Sequence, residues 1–155
     1  MGDVVLEWVT PYILPQKRRL IKAVALSATI VFTIDAVLFM PIFWFLVIPL
    51  LIAEFIVFRN WKFEYEYIYV NGDFEISKII RKCKRKLAFH GDRKDMEYIV
   101  KGRQDAAGIS TADYTSGVPG APVYTMKING QLVYFEPTKE FIDEMKNYRK
   151  VNAPE

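Results

Sequence analysis

Apolar and polar positions divide the chain into two parts with different periodicities. Residues 23–58 form an unbroken apolar run whose only ionisable side chains are Asp35 and Glu54. As one helix, this run would span about 54 Å, well beyond the roughly 30 Å hydrocarbon core of a bilayer. Folded near Pro41, it gives two passes of about 18 residues, each long enough to cross. The pattern predicts an antiparallel transmembrane hairpin with helices over residues 23–40 and 42–58.

Positive charge flanks this run on both outer sides and is absent from its turn. Lys17, Arg18, Arg19 and Lys22 precede the run, and Arg59 and Lys62 follow it. The positive-inside rule then places both termini in the cytoplasm, with the two helices in a bacterial cytoplasmic membrane. One long bent helix or a re-entrant loop is the alternative.

The two carboxylates inside the run are costly, since an acid at mid-bilayer costs about 2.5–3.5 kcal/mol. Glu54 is interpreted as an interfacial carboxylate near basic partners, because Arg59 follows it closely and Lys22 lies at a similar depth. Asp35 is interpreted as a neutral acid near the headgroups, with a contact to a partner subunit as the alternative. An axial offset of about 10 Å makes a pair between the two acids unfavourable.

The residues before the hairpin, 1–16, form an N-terminal arm. Its apolar side chains include Trp8 and Tyr12, and Pro11 and Pro15 interrupt it. A short interfacial segment anchored by the two aromatic residues would fit this composition, and so would a disordered arm. The arm's sequence does not decide between the two.

Strict alternation begins immediately after the hairpin. Residues 62–70 carry Phe63, Tyr65, Tyr67 and Tyr69 at every second position, which predicts a strand with one aromatic face. Asn71-Gly72 follows and favours a type I′ turn, because both central residues of that turn need positive φ. The predicted register places Val70 opposite Asp73, Tyr69 opposite Phe74, Ile68 opposite Glu75 and Tyr67 opposite Ile76.

The rest of the chain predicts further strands and one helix. Strands are expected over residues 84–89 and 96–100, and a second hairpin over residues 123–128 and 131–135 around Asn129-Gly130. Residues 101–122 predict a long mobile loop with room for one short strand. Thr138 is a suitable N-cap for an amphipathic helix that ends near Arg149.

These elements define an α+β fold. An N-terminal transmembrane helical hairpin precedes a small antiparallel β roll or partial barrel, which is closed by a C-terminal α-helix. The predicted divisions are an arm at 1–16, the hairpin at 17–60, a cytoplasmic β domain at 61–150 and a tail at 151–155.

Several segments resemble a family of small membrane proteins from Gram-positive anaerobes. The resemblance rests on the helical pair, the hairpin FEYEYIYVNGDFEISKII, the basic run RKCKRKL and the closing VYFEPTKEFIDEMK. It covers most of residues 17–149, with the loop at 101–122 the poorest match. The strand order and last helix also resemble the pleckstrin-homology-like (PH-like) superfold. The resemblance implies a two-helix membrane hairpin carrying a PH-like cytoplasmic domain, and it supplies no catalytic residues.

Charge is concentrated more than the net value of +3 suggests. Five of the six residues at 81–86 are basic, namely Arg81, Lys82, Lys84, Arg85 and Lys86. Near an anionic leaflet each contributes about 1 kcal/mol, so this run is a candidate site for anionic lipid or a protein partner. A solvated strand end or turn is the alternative. The modest net charge argues against nucleic-acid binding.

Catalytic chemistry is not indicated. The single histidine, His90, and the single cysteine, Cys83, have no evident third partner, and no phosphate loop, HExxH or acidic metal cluster occurs. The chain is therefore expected to be a non-enzymatic binding module without a metal or cofactor. The alternative is a small structural subunit of a membrane complex, docking through the helical pair onto a protein partner or a second copy.

Overall fold

The computed structural model describes residues 4–39, 41–148 and the backbone of 151–152. The chain divides into two compact units, and the division is not sequential. One unit combines Met1–Ile13 with Phe63–Glu155, and the other is Leu14–Lys62. The predicted β domain, which starts at residue 61, therefore leaves out the N-terminal segment that belongs to the same unit.

The second unit is a pair of helices. Helix α1 is Gln16–Leu38, a 3-10 turn covers Pro41–Phe43, and α2 is Trp44–Asn60. Helix α1, and the 3-10 turn together with α2, are long and apolar enough to cross a membrane, and only 11% of the most apolar window of each is buried. The helical pair is confirmed, although α1 begins seven residues before the predicted start and Met40 lies outside the described residues.

Four antiparallel strands form the first sheet, in the order β1-β2-β3-β4. They are β1 (Val5–Pro11), β2 (Phe63–Val70), β3 (Asp73–Ile80) and β4 (Lys84–Asp92). The predicted register of the β2–β3 hairpin is confirmed at all four pairs. Asn71 and Gly72 have positive φ, of 51° and 118°, as the turn requires.

Strand β1 contradicts both expectations for the N-terminal arm, because residues 5–11 are neither a membrane-surface segment nor disordered. It pairs with β2 along its whole length, with Trp8 opposite Tyr67. Its side chains alternate between exposed and half-buried positions, and Trp8 stacks on Tyr67 at 5.1 Å. The arm is a strand because the edge of β2 offers unpaired backbone groups and Trp8 completes an aromatic core.

The second sheet has the order β6-β8-β7-β5-β9. Its strands are β5 (Met96–Lys101), β6 (Thr111–Asp113), β7 (Tyr124–Ile128), β8 (Gln131–Phe135) and β9 (Val151–Asn152). Strand β9 pairs in parallel with β5, so the predicted separate tail at 151–155 is wrong for its first two residues. The rest of that tail lies outside the described residues.

Helix α3 (Lys139–Asn147) closes the unit and buries Phe141, Ile142 and Met145. The Thr138 side chain accepts a hydrogen bond from the Phe141 amide, which confirms the predicted N-cap. Arg149, the predicted helix end, lies outside the described residues. An antiparallel sheet, a mixed sheet that is antiparallel at its centre, and a C-terminal helix confirm the expected α+β class.

Hydrogen bonds attach the long loop at 101–122 to the second sheet. The predicted short strand is present as β6, which pairs in parallel with β8. Burial acts to raise the pKa of Asp113, but hydrogen bonds from Thr115 and Arg103 lower it overall. Ser116 donates from its amide and its hydroxyl to Glu136, at 2.8 and 2.7 Å. This network opposes the mobility expected from composition.

Candidate functional site

The predicted basic run forms a turn followed by the start of a strand, and we call residues 81–86 the basic turn. Residues 81–83 connect β3 to β4, and Arg81 and Lys82 both have positive φ, of 57° and 58°. The Cys83 amide donates to the carbonyl of Ile80 at 3.2 Å. All six side chains of the basic turn are exposed. Half of the run is therefore turn rather than strand.

Strand alternation separates the three basic residues of β4. Lys84 is opposite Ile80 and Lys86 is opposite Lys78, whereas Arg85 is opposite Ile79. Because Lys78 is in turn opposite the core-facing Tyr65, the three lysines share the inner face of the sheet. Arg85 lies on the outer face.

Arg85 already has a partner. Its guanidinium lies 2.7 Å from the Glu66 carboxylate, in an ion pair that lacks the alignment of a hydrogen bond. Glu66 is buried, so removing Arg85 would leave a carboxylate without compensation. Within the described residues, no carboxylate forms an ion pair with the other four basic side chains of the turn.

Lys78 belongs to the same surface and was missed from the sequence. Extending the predicted hairpin register by two pairs would have placed Lys78 opposite Tyr65. Its ammonium lies 3.6 Å from the centre of the Phe63 ring, and Tyr12 stacks on Phe63 at 4.3 Å. At this end of the sheet the lysines therefore lie beside a small aromatic cluster, which Lys78 contacts through a cation–π interaction.

The basic turn shares its end of the sheet with both connections to the helices. The Tyr12 amide donates to the Phe63 carbonyl at 3.1 Å, so the chain leaves and re-enters the sheet at adjacent points. Phe63 is opposite Ile80, and Ile80 directly precedes Arg81. Four residues, 12–15, connect β1 to α1, and two residues, 61–62, connect α2 to β2.

The two acids of the helical unit are not arranged as expected. Glu54 is buried, and its Oε1 lies 2.7 Å from the hydroxyl of Thr29. Among the described residues Glu54 forms no ion pair with either expected basic partner, and both of these cations lie against aromatic rings. Lys22 is 5.3 Å from the Phe58 ring, and Arg59 is 5.5 Å from the ring of Phe55.

Asp35 is half-buried on α1. Among the described residues it forms no ion pair with a cation.

Groups suited to covalent chemistry are not brought together. Cys83 directly precedes β4 and His90 lies near its other end, about 23 Å away at the rise of a strand. The buried Tyr67 hydroxyl donates to the Tyr114 carbonyl at 2.6 Å, and burial strongly raises the pKa of Tyr67. Among the described residues, no group of three or more His, Cys, Asp or Glu could hold a metal.

Comparison with known proteins identifies the chain by family alone. No curated protein and no solved structure matches it. A family model described as "Bacterial PH-like domain (DUF6106)" matches residues 2–153. This span includes β1, both helices, the two sheets and α3. The chain therefore belongs to the bacterial PH-like domain family DUF6106.

Proposed function

We propose that this chain is a membrane-anchored, non-enzymatic binding module of the bacterial cytoplasmic membrane. Its helical pair spans the bilayer, both termini are cytoplasmic, and the basic turn contacts anionic lipid headgroups of the inner leaflet. One observation carries the proposal: the basic turn lies at the end of the sheet from which the chain continues into the helices. PH-like domains are in general non-catalytic binding folds, which agrees with this role.

The surface of the helices supports the membrane part of the proposal. Large apolar side chains are exposed along both of them, with Phe45 84% exposed and Leu38 67% exposed. Soluble proteins rarely expose contiguous apolar surface on this scale, because water would drive it to associate. Hydrocarbon is the solvent that suits these helices.

Chain length limits how far the basic turn can lie from the helix ends. A residue spans at most about 3.6 Å, so the connection from Asn60 to Phe63 covers no more than about 11 Å. The negative potential of an anionic leaflet extends over a Debye length, about 8–10 Å in physiological salt. With the helix ends at the interface, this short connection allows the basic turn to approach the leaflet to within that distance, since Phe63 is opposite Ile80, the residue before Arg81.

The size of the electrostatic contribution suits a basic turn that orients the β unit against the leaflet rather than one that anchors the chain. Arg81, Lys82, Lys84 and Lys86 together contribute about 4 kcal/mol near an anionic surface, whereas Arg85 is already neutralised by Glu66. Two transmembrane helices need no such help to stay in the membrane. The turn would instead fix the domain against the leaflet in a way that depends on anionic lipid.

The single cysteine allows a direct test, because Cys83 is exposed within the basic turn. The full chain, labelled there with a fluorophore, is placed in nanodiscs that carry headgroup-attached quenchers. We expect stronger quenching in discs with phosphatidylglycerol than in discs of phosphatidylcholine alone. The substitutions Lys84→Gln and Lys86→Gln together should remove most of that difference.

A matched control carries Lys139→Gln and Lys146→Gln, which change the net charge equally on exposed positions of α3. This control should retain the lipid dependence. Equal quenching in discs with and without phosphatidylglycerol would contradict a specific role for the basic turn. An equal loss of the lipid dependence in both double variants would contradict it as well.

A further inference from the structure

A second charged surface lies on the first sheet, on the side opposite the core. We call it the outer face, and it comprises the alternate side chains of β1–β4 that do not point toward the core. Its acidic members are Glu7, Glu64, Glu66, Asp73, Glu75 and Asp92. The protein as a whole has a net charge of +3, so negative charge is segregated onto this face.

Three of the six acids have a basic neighbour. Arg85 pairs with Glu66, His90 Nε2 lies 3.9 Å from Glu75, and Lys94 Nζ lies 3.8 Å from Asp92. Within the described residues, Glu7 and Glu64 form no ion pair. The acids outnumber the basic side chains of the face, so the face is negative overall.

Exposed apolar side chains lie between the carboxylates. Val5 and Val9 on β1 are 60% and 47% exposed, and Leu87 on β4 is 55% exposed. A solvated face of an antiparallel sheet normally carries polar residues at such positions. Acids without an ion pair beside exposed aliphatic groups offer a partner both complementary charge and apolar contact area.

We infer that the outer face binds a basic, amphipathic segment of a protein partner. Lysine or arginine side chains of such a segment would pair with Glu7, Glu64 and Glu75, while its apolar side chains cover Val9 and Leu87. Complementary charge selects this occupant over the alternatives. A second copy docking through the same face would oppose acid to acid, and an anionic leaflet would repel the face. The inference rests on the outer face alone and does not require the lipid contact of the basic turn.

The probe for this surface is a labelled peptide of alternating lysine and valine residues. Its binding to the full chain is measured by fluorescence anisotropy in nanodiscs of phosphatidylcholine, which carry no net charge to attract it. A glutamate–valine peptide and a lysine–serine peptide are the two comparison probes. We expect measurable binding of the lysine–valine peptide and weak binding of the other two.

Two variants of equal charge change separate face-specific binding from general attraction. Glu7→Gln, Glu64→Gln and Glu75→Gln together should weaken binding about tenfold, the combined effect of three exposed ion pairs. The control carries Asp95→Asn, Glu140→Gln and Glu144→Gln, and it should bind within about twofold of the unaltered chain. Val9→Ser with Leu87→Ser tests the apolar part and should also weaken binding.

Equal weakening by both acid variants would overturn the inference, because the attraction would then be non-specific. Binding that the outer-face variant leaves unchanged would overturn it as well. Crosslinking of the unaltered chain that produces dimers through the outer face would assign the surface to a second copy instead. Hydrogen exchange over β1 and β2 confirms that each variant remains folded.

Discussion

Replacing Trp8 by alanine tests whether the N-terminal segment is part of the β unit. The indole stacks on Tyr67 and lies 5.4 Å from the Phe141 ring, and its Nε1 donates to the Glu136 carbonyl at 2.9 Å. A buried tryptophan truncated to alanine costs about 3–5 kcal/mol. Since Trp8 is half-buried, we expect the lower value, about 3 kcal/mol, including the lost hydrogen bond.

Urea unfolding of the full chain in mild detergent measures this loss, with hydrogen exchange over β2 as the readout. For an m value of about 1.5 kcal/mol per molar, the midpoint should fall by about 2 M. The control is Val9→Ala, whose side chain points away from the core on the same strand and should change stability by less than about 0.5 kcal/mol. A midpoint for Trp8→Ala that matches the control would refute the packing of β1, and the segment would then be a free or membrane-surface arm.

Three further predictions concern other parts of the chain. A Cβ at Gly91 would lie 2.5 Å from the Ile128 side chain, so Gly91→Ala should destabilise the β unit by about 1–3 kcal/mol in the same urea assay. The pKa of Asp113 is lower in the folded protein than its value near 3.8 in the unfolded chain. Its contribution to folding stability is therefore complete above that value and is lost as pH falls below it. Asp113→Asn should therefore flatten the stability profile measured between about pH 5 and pH 2. Glu54→Leu removes the contact with Thr29 and should weaken helix pairing by about 0.6–1.7 kcal/mol, measured by force unfolding in bicelles. An unchanged unfolding force would assign that contact no energetic role.

Local sequence patterns were sufficient to predict the elements that depend only on residues close together in the chain. The alternating aromatics of β2 and the Asn71-Gly72 turn specify a hairpin register, because a slip of one residue would expose every buried ring. Thr138 likewise predicts a helix start from its own chemistry. The apolar run predicts two helices through its length alone.

Pairing between strands that are distant in the sequence could not be predicted from local patterns. The alternation of Leu6 and Trp8 was present in the sequence, but Pro11 and Pro15 obscured it and the strand's partner lies beyond the helical pair. Strand β9 also joins β5 from a distant part of the chain, with Ile99 opposite Val151. Local sequence does not indicate such partners, because the entropic cost of closing the long loop between the strands is offset only when the core assembles.

Only part of the candidate site could be predicted for the same reason. Composition identified the basic residues at 81–86, but their division between two faces depends on the bulge and register of β3 and β4. The neutralisation of Arg85 depends on Glu66 of a third strand. The acidic outer face emerges only when four strands are placed side by side, because its carboxylates come from distant parts of the sequence.

The membrane topology is tested most directly by labelling Cys83 with a membrane-impermeant maleimide. Cys83 is the single cysteine of the chain and it is exposed. The measurement compares intact spheroplasts with inverted membrane vesicles, each pelleted before analysis. We expect the pelleted chain to be labelled in inverted vesicles and unlabelled in intact spheroplasts. Labelling in intact spheroplasts, or recovery of the chain in the detergent-free supernatant, would contradict a cytoplasmic β unit tethered by two transmembrane helices.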